Sequence, residues 1–215
     1  MIQRFAKSED GAAMVEMTIV SSLLFALVFG FVDFGYAFYQ WNAATKAVQI
    51  GARLASISDP IAPQISAAGP IATPGAPIAA GAFAYVCNGA TSTCSCTGAY
   101  CVAGVWSAAN FSRIFRGDTA VTSDDACPAL AANQRPGMCH FFPGLHRSNI
   151  VVTYTASGLG FQTRLSGTVP TIGVSLQNVT FQFFFLKGLM GFNNITMPSM
   201  LSTVTGEDLK TSAPS

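Results

Sequence analysis

Glu16 and Asp33 are the only charged side chains in the run from Ala12 to Tyr39. An acidic group near the centre of a bilayer costs on the order of 3 kcal/mol on insertion scales, so a carboxylate in such a run needs a compensating partner. For Glu16 the chemistry at hand is ion pairing. Ala12 stands four residues earlier, on the same side of a helix, and Gly11 precedes it. A chain cut after Gly11 would carry an ammonium at Ala12. Two opposite charges about 4 Å apart gain about 4 kcal/mol at an effective dielectric of about 20, comparable to the cost of burying the carboxylate. The amine of an adjacent subunit would serve equally, making Glu16 a docking register; the plainer alternative is a side chain that snorkels to the interface. Asp33 lies near the outer boundary of the run, where ordinary hydration is available; it reads as a second carboxylate at the membrane boundary.

The second chemical cluster is sulfur. Cys87, Cys94, Cys96, Cys101, Cys127 and Cys139 all fall downstream of the apolar run. Six clustered cysteines in a small extracytoplasmic region imply disulfides, with about 15 full pairings open. Cys94 and Cys96 are too close to be partners, so each is expected to bond elsewhere. A zinc site using these thiols and His140 lacks both a CxxC pair and an HxxxH spacing. Asp124-Asp125 lacks the spaced ligands of a calcium loop and reads as a solvated turn. With two histidines, His140 and His146, and no nucleophile motif or glycine-rich phosphate loop, the sequence points to neither an enzyme nor a bound cofactor. Asn110, Asn178 and Asn194 head short glycosylation sequons, which arise readily by chance.

These groups need elements to hold them. At about 1.5 Å per residue, Ala12 to Tyr39 makes about 42 Å of helix, enough to cross a hydrocarbon core of about 30 Å. A signal peptide has a shorter apolar core and a small-x-small cleavage site, so a retained anchor fits better. Arg4 and Lys7 precede the span and favour a cytoplasmic N-terminus, with the remainder outside. Gly30 and Gly35 are places for the helix to loosen. Past Tyr39, Trp41, Ala44, Val48, Gly51 and Ala55 follow one helical face while Lys46, Gln49 and Arg53 follow another. That amphipathic continuation predicts a single helix from about Ala12 to about Ser56, whose apolar stripe can receive a sheet.

Residues 59–82, with Pro60, Pro63, Pro70, Pro74 and Pro77, read as an extended linker. Residues 83–148 read as a disulfide-stapled, loop-rich insertion with a short helix at Ala108 to Phe115. Strand patterns return at Ile150–Thr155, Val174–Phe185 and Ile195–Val204, and Pro198 suggests an edge position for the last. The apolar connection from Leu186 to Phe192 suits core, membrane contact or subunit contact, with core favoured. The organisation expected is thus a leader at 1–11, a transmembrane helix at 12–39, its continuation at 40–58, the linker, the insertion, and a sheet at 149–215. The fold class is α+β. At 215 residues, 10% charged and with formal net charge +1, the chain has no electrostatic footprint for nucleic acid and suits an assembly component.

A short leader, a glycine and a long apolar helix with glutamate at its fifth position resemble type IV pilin-like proteins, more closely the TadE-like minor pseudopilins of the tight-adherence (Flp) pilus. The residues carrying this are Arg4-Phe5-Ala6-Lys7, Asp10-Gly11-Ala12-Ala13-Met14-Val15-Glu16, Val32-Asp33-Phe34-Gly35, Ala43-Ala44 and Gly51-Ala52-Arg53-Leu54-Ala55. Met17 departs from the aromatic residue common there, and Asp33 from glutamate. The resemblance implies cleavage after Gly11 by a prepilin peptidase, a pilin-like head in the periplasm, and a bacterial inner-membrane location. It also implies other pilin-like subunits, pilus assembly membrane proteins and the lipid bilayer as partners. Two rivals are an uncleaved, anchored periplasmic scaffold or binding protein, and a membrane-tethered enzyme using His140 or Asp125.

Overall fold

The structure is a computed structural model describing residues 9–70, 72–119, 124–162, 168–191 and 195–206. Arg4, Lys7, Phe192, Asn194 and the tail from residue 207 lie outside the described residues. The chain divides into two units, Met1–Gln40 with Thr180–Thr196, and Trp41–Val179 with Met197–Ser215.

Helix α1 runs from Glu9 to Ser56, 48 residues. Its sequence has no proline, and the helix is continuous through Gly30 and Gly35, where loosening was expected. In the first unit its side chains from Gly11 to Gly30 are nearly all exposed, apolar ones included. Two of the hydroxyls there bond locally: Thr18 donates to the Met14 carbonyl at 2.7 Å and Ser22 to that of Ile19 at 2.8 Å. The stretch Gly11–Ser56 is long and apolar enough to cross a membrane. The other part of this unit carries a short helix, labelled α3 below, at Phe185–Met190.

In the second unit the α1 residues Ala44, Ala47, Val48, Ala52 and Ala55 are buried, whereas Lys46, Gln49 and Arg53 are exposed. The amphipathic reading therefore fits the observed faces. Gly51 lies on the buried face because a Cβ there would meet the Met138 sulfur at 2.5 Å. A five-stranded antiparallel sheet is built from β1 (Ala84–Asn88), β2 (Thr93–Thr97), β3 (Ile150–Thr155), β4 (Thr171–Leu176) and β5 (Leu201–Thr205), in the order β2-β1-β3-β4-β5. β3 is the second of three interior strands, and its Ile150, Val152 and Tyr154 face the core. Helix α2 (Ala108–Arg116) starts at Ser107, whose side chain accepts from the Asn110 N–H, and α3 (Phe185–Met190) follows in chain order.

Three expectations are corrected here. The insertion expected at 83–148 supplies β1 and β2, and β1 is interior, paired with β2 on one side and β3 on the other. Its strands are short and carry three of the cysteines at alternating positions, a weak apolar signal. The linker expected at 59–82 contributes Ile61, Ile65, Ala68 and Ile78 to the core, and Pro63 opens a 3-10 turn over Pro63–Ala67. Small residues let this proline-rich chain pack closely while Ile61, Ile65 and Ile78 point inward. The strand expected at Val174–Phe185 is β4 at Thr171–Leu176, so the phenylalanine run that follows is not in the sheet. β5 is an edge strand that begins after Pro198.

Tyr154 ties the proline-rich segment to the sheet. Its hydroxyl accepts the Ile61 N–H at 3.1 Å. Burial pushes its phenol well above the ordinary range, more than this bond lowers it. Tyr85 fixes the loop after β2 in the same way, donating to the Val102 carbonyl at 2.7 Å while its oxygen accepts the Val102 N–H at 3.2 Å.

Candidate functional site

The sequence-marked groups of the apolar helix differ in their surroundings. Gly11, Ala12 and Glu16 are all exposed on α1, which begins two residues ahead of Gly11 at Glu9. Ala12 and Glu16 occupy i and i+4, so an amine at Ala12 would be within one turn of the carboxylate.

Asp33 is not a hydrated boundary group. It is 0% exposed. Its Oδ1 accepts the Phe184 N–H at 3.0 Å, and its Oδ2 accepts the N–H groups of Phe185 at 2.9 Å and Leu186 at 2.6 Å. These three donors are the free N–H groups at the start of α3, whose cap residue Phe184 has no side chain able to accept them. Asp33 therefore caps a helix remote in sequence, placing a carboxylate where the helix dipole favours an anion. Two turns further along α1, Gln40 makes a paired contact: its Nε2 donates to the Gln182 carbonyl at 3.1 Å and its Oε1 accepts the Gln182 N–H at 3.1 Å. Ring contacts fill the space between, with Phe29 stacked on Phe185 at 4.5 Å and Tyr36 against Phe184 at 4.9 Å.

Sequence reasoning missed this arrangement. One signal was available, the Leu186-Lys187-Gly188-Leu189-Met190-Gly191 stretch, which ends on a glycine as helices do; Gly191 indeed adopts φ 68° and ψ 18°. The connection read as favouring core is instead a short helix whose Lys187 is exposed.

All six cysteines are paired. Cys87–Cys94 joins directly opposed positions of β1 and β2, Cys96–Cys101 ties β2 to the following loop, and Cys127–Cys139 closes a third loop. Cys127, Cys139 and His140 cluster closely enough to be weighed as a metal site. The two sulfurs are bonded to each other, and both ring nitrogens of His140 have partners: Nδ1 accepts from the Gly137 N–H at 3.2 Å, which leaves Nε2–H to donate to the Pro128 carbonyl at 2.9 Å. The donor set is thus already engaged.

Asp124 and Asp125 are more than a solvated turn. Asp124 pairs with Arg116, which is almost fully buried. Asp125 accepts from the Arg147 N–H at 2.8 Å and pairs with His146 at 3.0 Å. Partial burial raises the Asp125 pKa, but these two partners outweigh it and hold the carboxyl below its usual range. His140 and Asp125, each a candidate for a membrane-tethered enzyme, have different hydrogen-bond partners. Asn110, head of one sequon, has its side-chain amide engaged by the Pro60 carbonyl at 2.7 Å.

The fold and these groups describe an α+β protein whose N-terminal helix is long and apolar enough to span a membrane and whose sheet is stapled by disulfides. Residues 11–53 match the family model described as TadE-like protein, so over that helix the chain is similar to the TadE-like proteins. No curated protein and no solved structure matches the chain.

Proposed function

We propose that this protein is a minor pseudopilin that acts in the biogenesis of a tight-adherence pilus. Helix α1 anchors it in the bacterial inner membrane, with its N-terminus in the cytoplasm and the disulfide-bonded sheet in the periplasm. A prepilin peptidase cuts after Gly11, and the new ammonium of Ala12 pairs with Glu16, in the same chain or the next. Its partners are other pilin-like subunits and the membrane proteins of pilus assembly. The role is structural and not enzymatic.

The observation that carries this reading is the TadE-like match over residues 11–53, together with a helix whose apolar side chains are exposed while its carboxylate stands one turn from Ala12. An exposed apolar helix suits lateral packing, against lipid first and against like helices once assembled. Glu16 supplies what apolar packing lacks, a register, since a charge that is satisfied only at one axial offset penalises the others. The disulfides fit an oxidising compartment on the far side of the membrane.

Site-specific photocrosslinking from Met17 or Val20, in cells producing the pilus, tests the assembly role. Adducts with other pilin-like helices are expected, and they should fall sharply in Glu16→Ala. Adducts with lipid alone would favour an uncleaved, solitary anchor.

A further inference from the structure

The segment Thr180–Thr196 is poorly suited to water. It contains five phenylalanines and Lys187 as its sole charged residue. Phe184 and Phe185 are 59% and 40% exposed, and Ile195 is 55% exposed. Phe31 and Phe34 of α1, in the same unit, are 71% and 65% exposed. Together they continue the exposed apolar surface of α1.

The backbone of this segment is also prepared for a medium without water. In hydrocarbon every unpaired N–H or C=O costs several kcal/mol, which ordinarily excludes loops and helix ends. Here the donors at the start of α3 are satisfied by Asp33, and Gln182 exchanges both its backbone groups with Gln40. The Phe181 N–H donates to the Ile195 carbonyl at 2.8 Å. A buried carboxylate and a primary amide thus serve backbone groups that water would otherwise satisfy without them. Depth points the same way. Phe185 stacks on Phe29, one helical turn or about 6 Å farther into the apolar run than Asp33.

We propose that the segment formed by residues 180–191, 195 and 196 is a membrane-inserted wedge, seated in the bilayer beside α1 at the boundary between acyl chains and headgroups, with Lys187 reaching back to lipid phosphates. This rests on α1 spanning the membrane. In the wedge, Asp33 caps α3 so that a helix end can enter the lipid. The occupant of the aromatic surface is lipid, because the surface is continuous with that of the span and its one cation is suited to an anionic headgroup.

The test uses the full chain in vesicles of phosphatidylethanolamine and phosphatidylglycerol, with Trp41→Phe and Trp106→Phe removing native indole signals. Single tryptophans are then introduced by Phe184→Trp, by Ile195→Trp as a second probe of the same segment, by Leu24→Trp within α1 and by Val105→Trp in the sheet unit. Brominated acyl chains are expected to quench Phe184→Trp and Ile195→Trp nearly as strongly as Leu24→Trp, while aqueous acrylamide quenches Val105→Trp alone. Quenching of Leu24→Trp by bromolipid with Phe184→Trp and Ile195→Trp open to acrylamide would overturn the wedge and leave the span intact. Protection of those two probes from both quenchers would also overturn it, in favour of a protein partner such as a second copy. Failure of bromolipid to quench Leu24→Trp would overturn the spanning reading itself.

Discussion

The two units of this chain handle apolar side chains in opposite ways. In the sheet unit Ile61, Ile65, Phe111 and Ile114 are 0% exposed, and the buried Tyr154 hydroxyl is tied to the Ile61 backbone by a hydrogen bond. In the unit built on residues 9–40 and 180–196, most large apolar side chains face outward while Asp33 and Gln40 are buried. The sheet unit is organised for water. The other is inside out by that standard, which is the organisation of a chain whose solvent is lipid. Stabilisation divides accordingly, with disulfides in the first and a few hydrogen-bonded polar groups in the second.

The largest expected effect comes from Asp33→Ala. It leaves three N–H donors at the head of α3 without an acceptor, at a cost of about 1–3 kcal/mol for each group left unsatisfied away from water. The segment should detach from α1, and Lys187 should become a site of tryptic cleavage in the reconstituted protein. Asp33→Asn, which keeps one carbonyl acceptor, should fall between. The thermal transition of the sheet unit should not move in either variant; a shift there would break the division between the units.

Next is the double substitution Cys87→Ala and Cys94→Ala. The pair closes a loop with sequence separation 7. Its loss should destabilise the sheet unit by about 2–3 kcal/mol on the loop-entropy account, read by denaturant unfolding. Trypsin resistance at Lys187 should be unchanged. The smallest effect concerns Asp118 and Arg135, a surface pair with N···O distances of 2.9 and 3.0 Å. Bonding to Arg135 is the main cause holding the Asp118 carboxyl below its usual value, against a smaller effect of burial. A lowered folded-state pKa contributes stability above the ordinary carboxylate value of about 3.9, and that contribution is lost as pH falls through the folded value. Asp118→Asn should therefore cost less than about 1 kcal/mol at neutral pH, and the difference from the parent should vanish in acid.

How much of this was legible in the sequence follows from which interactions are local. The long helix was readable because its signal is a proline-free apolar run followed by a helical period, and α1 ends at Ser56 as expected. The short helix expected from Ala108 to Phe115 and the strand expected at Ile150–Thr155 also match, as Ala108–Arg116 and Ile150–Thr155. The alternation Val179, Phe181, Phe183 and Phe185 imitated a strand, yet its backbone partners are Gln40, Asp33 and an isolated bridge between Thr180 and Thr196. β1 and β2 were hidden because opposed cysteines, not large apolar residues, supply their cross-strand contact. Glu16 was conspicuous as a charge in an apolar run. Asp33 was equally conspicuous, but its partner lies 151 residues away in sequence, beyond the reach of any spacing rule.

Whether this helix belongs to a processed pseudopilin turns on the bond between Gly11 and Ala12. Intact-mass and N-terminal peptide spectrometry of the protein purified from membranes of cells with an active prepilin peptidase tests it directly. The expected product is a mature chain beginning at Ala12, with Glu16 as its fifth residue. A chain still beginning at Met1 in those cells would contradict the pseudopilin reading.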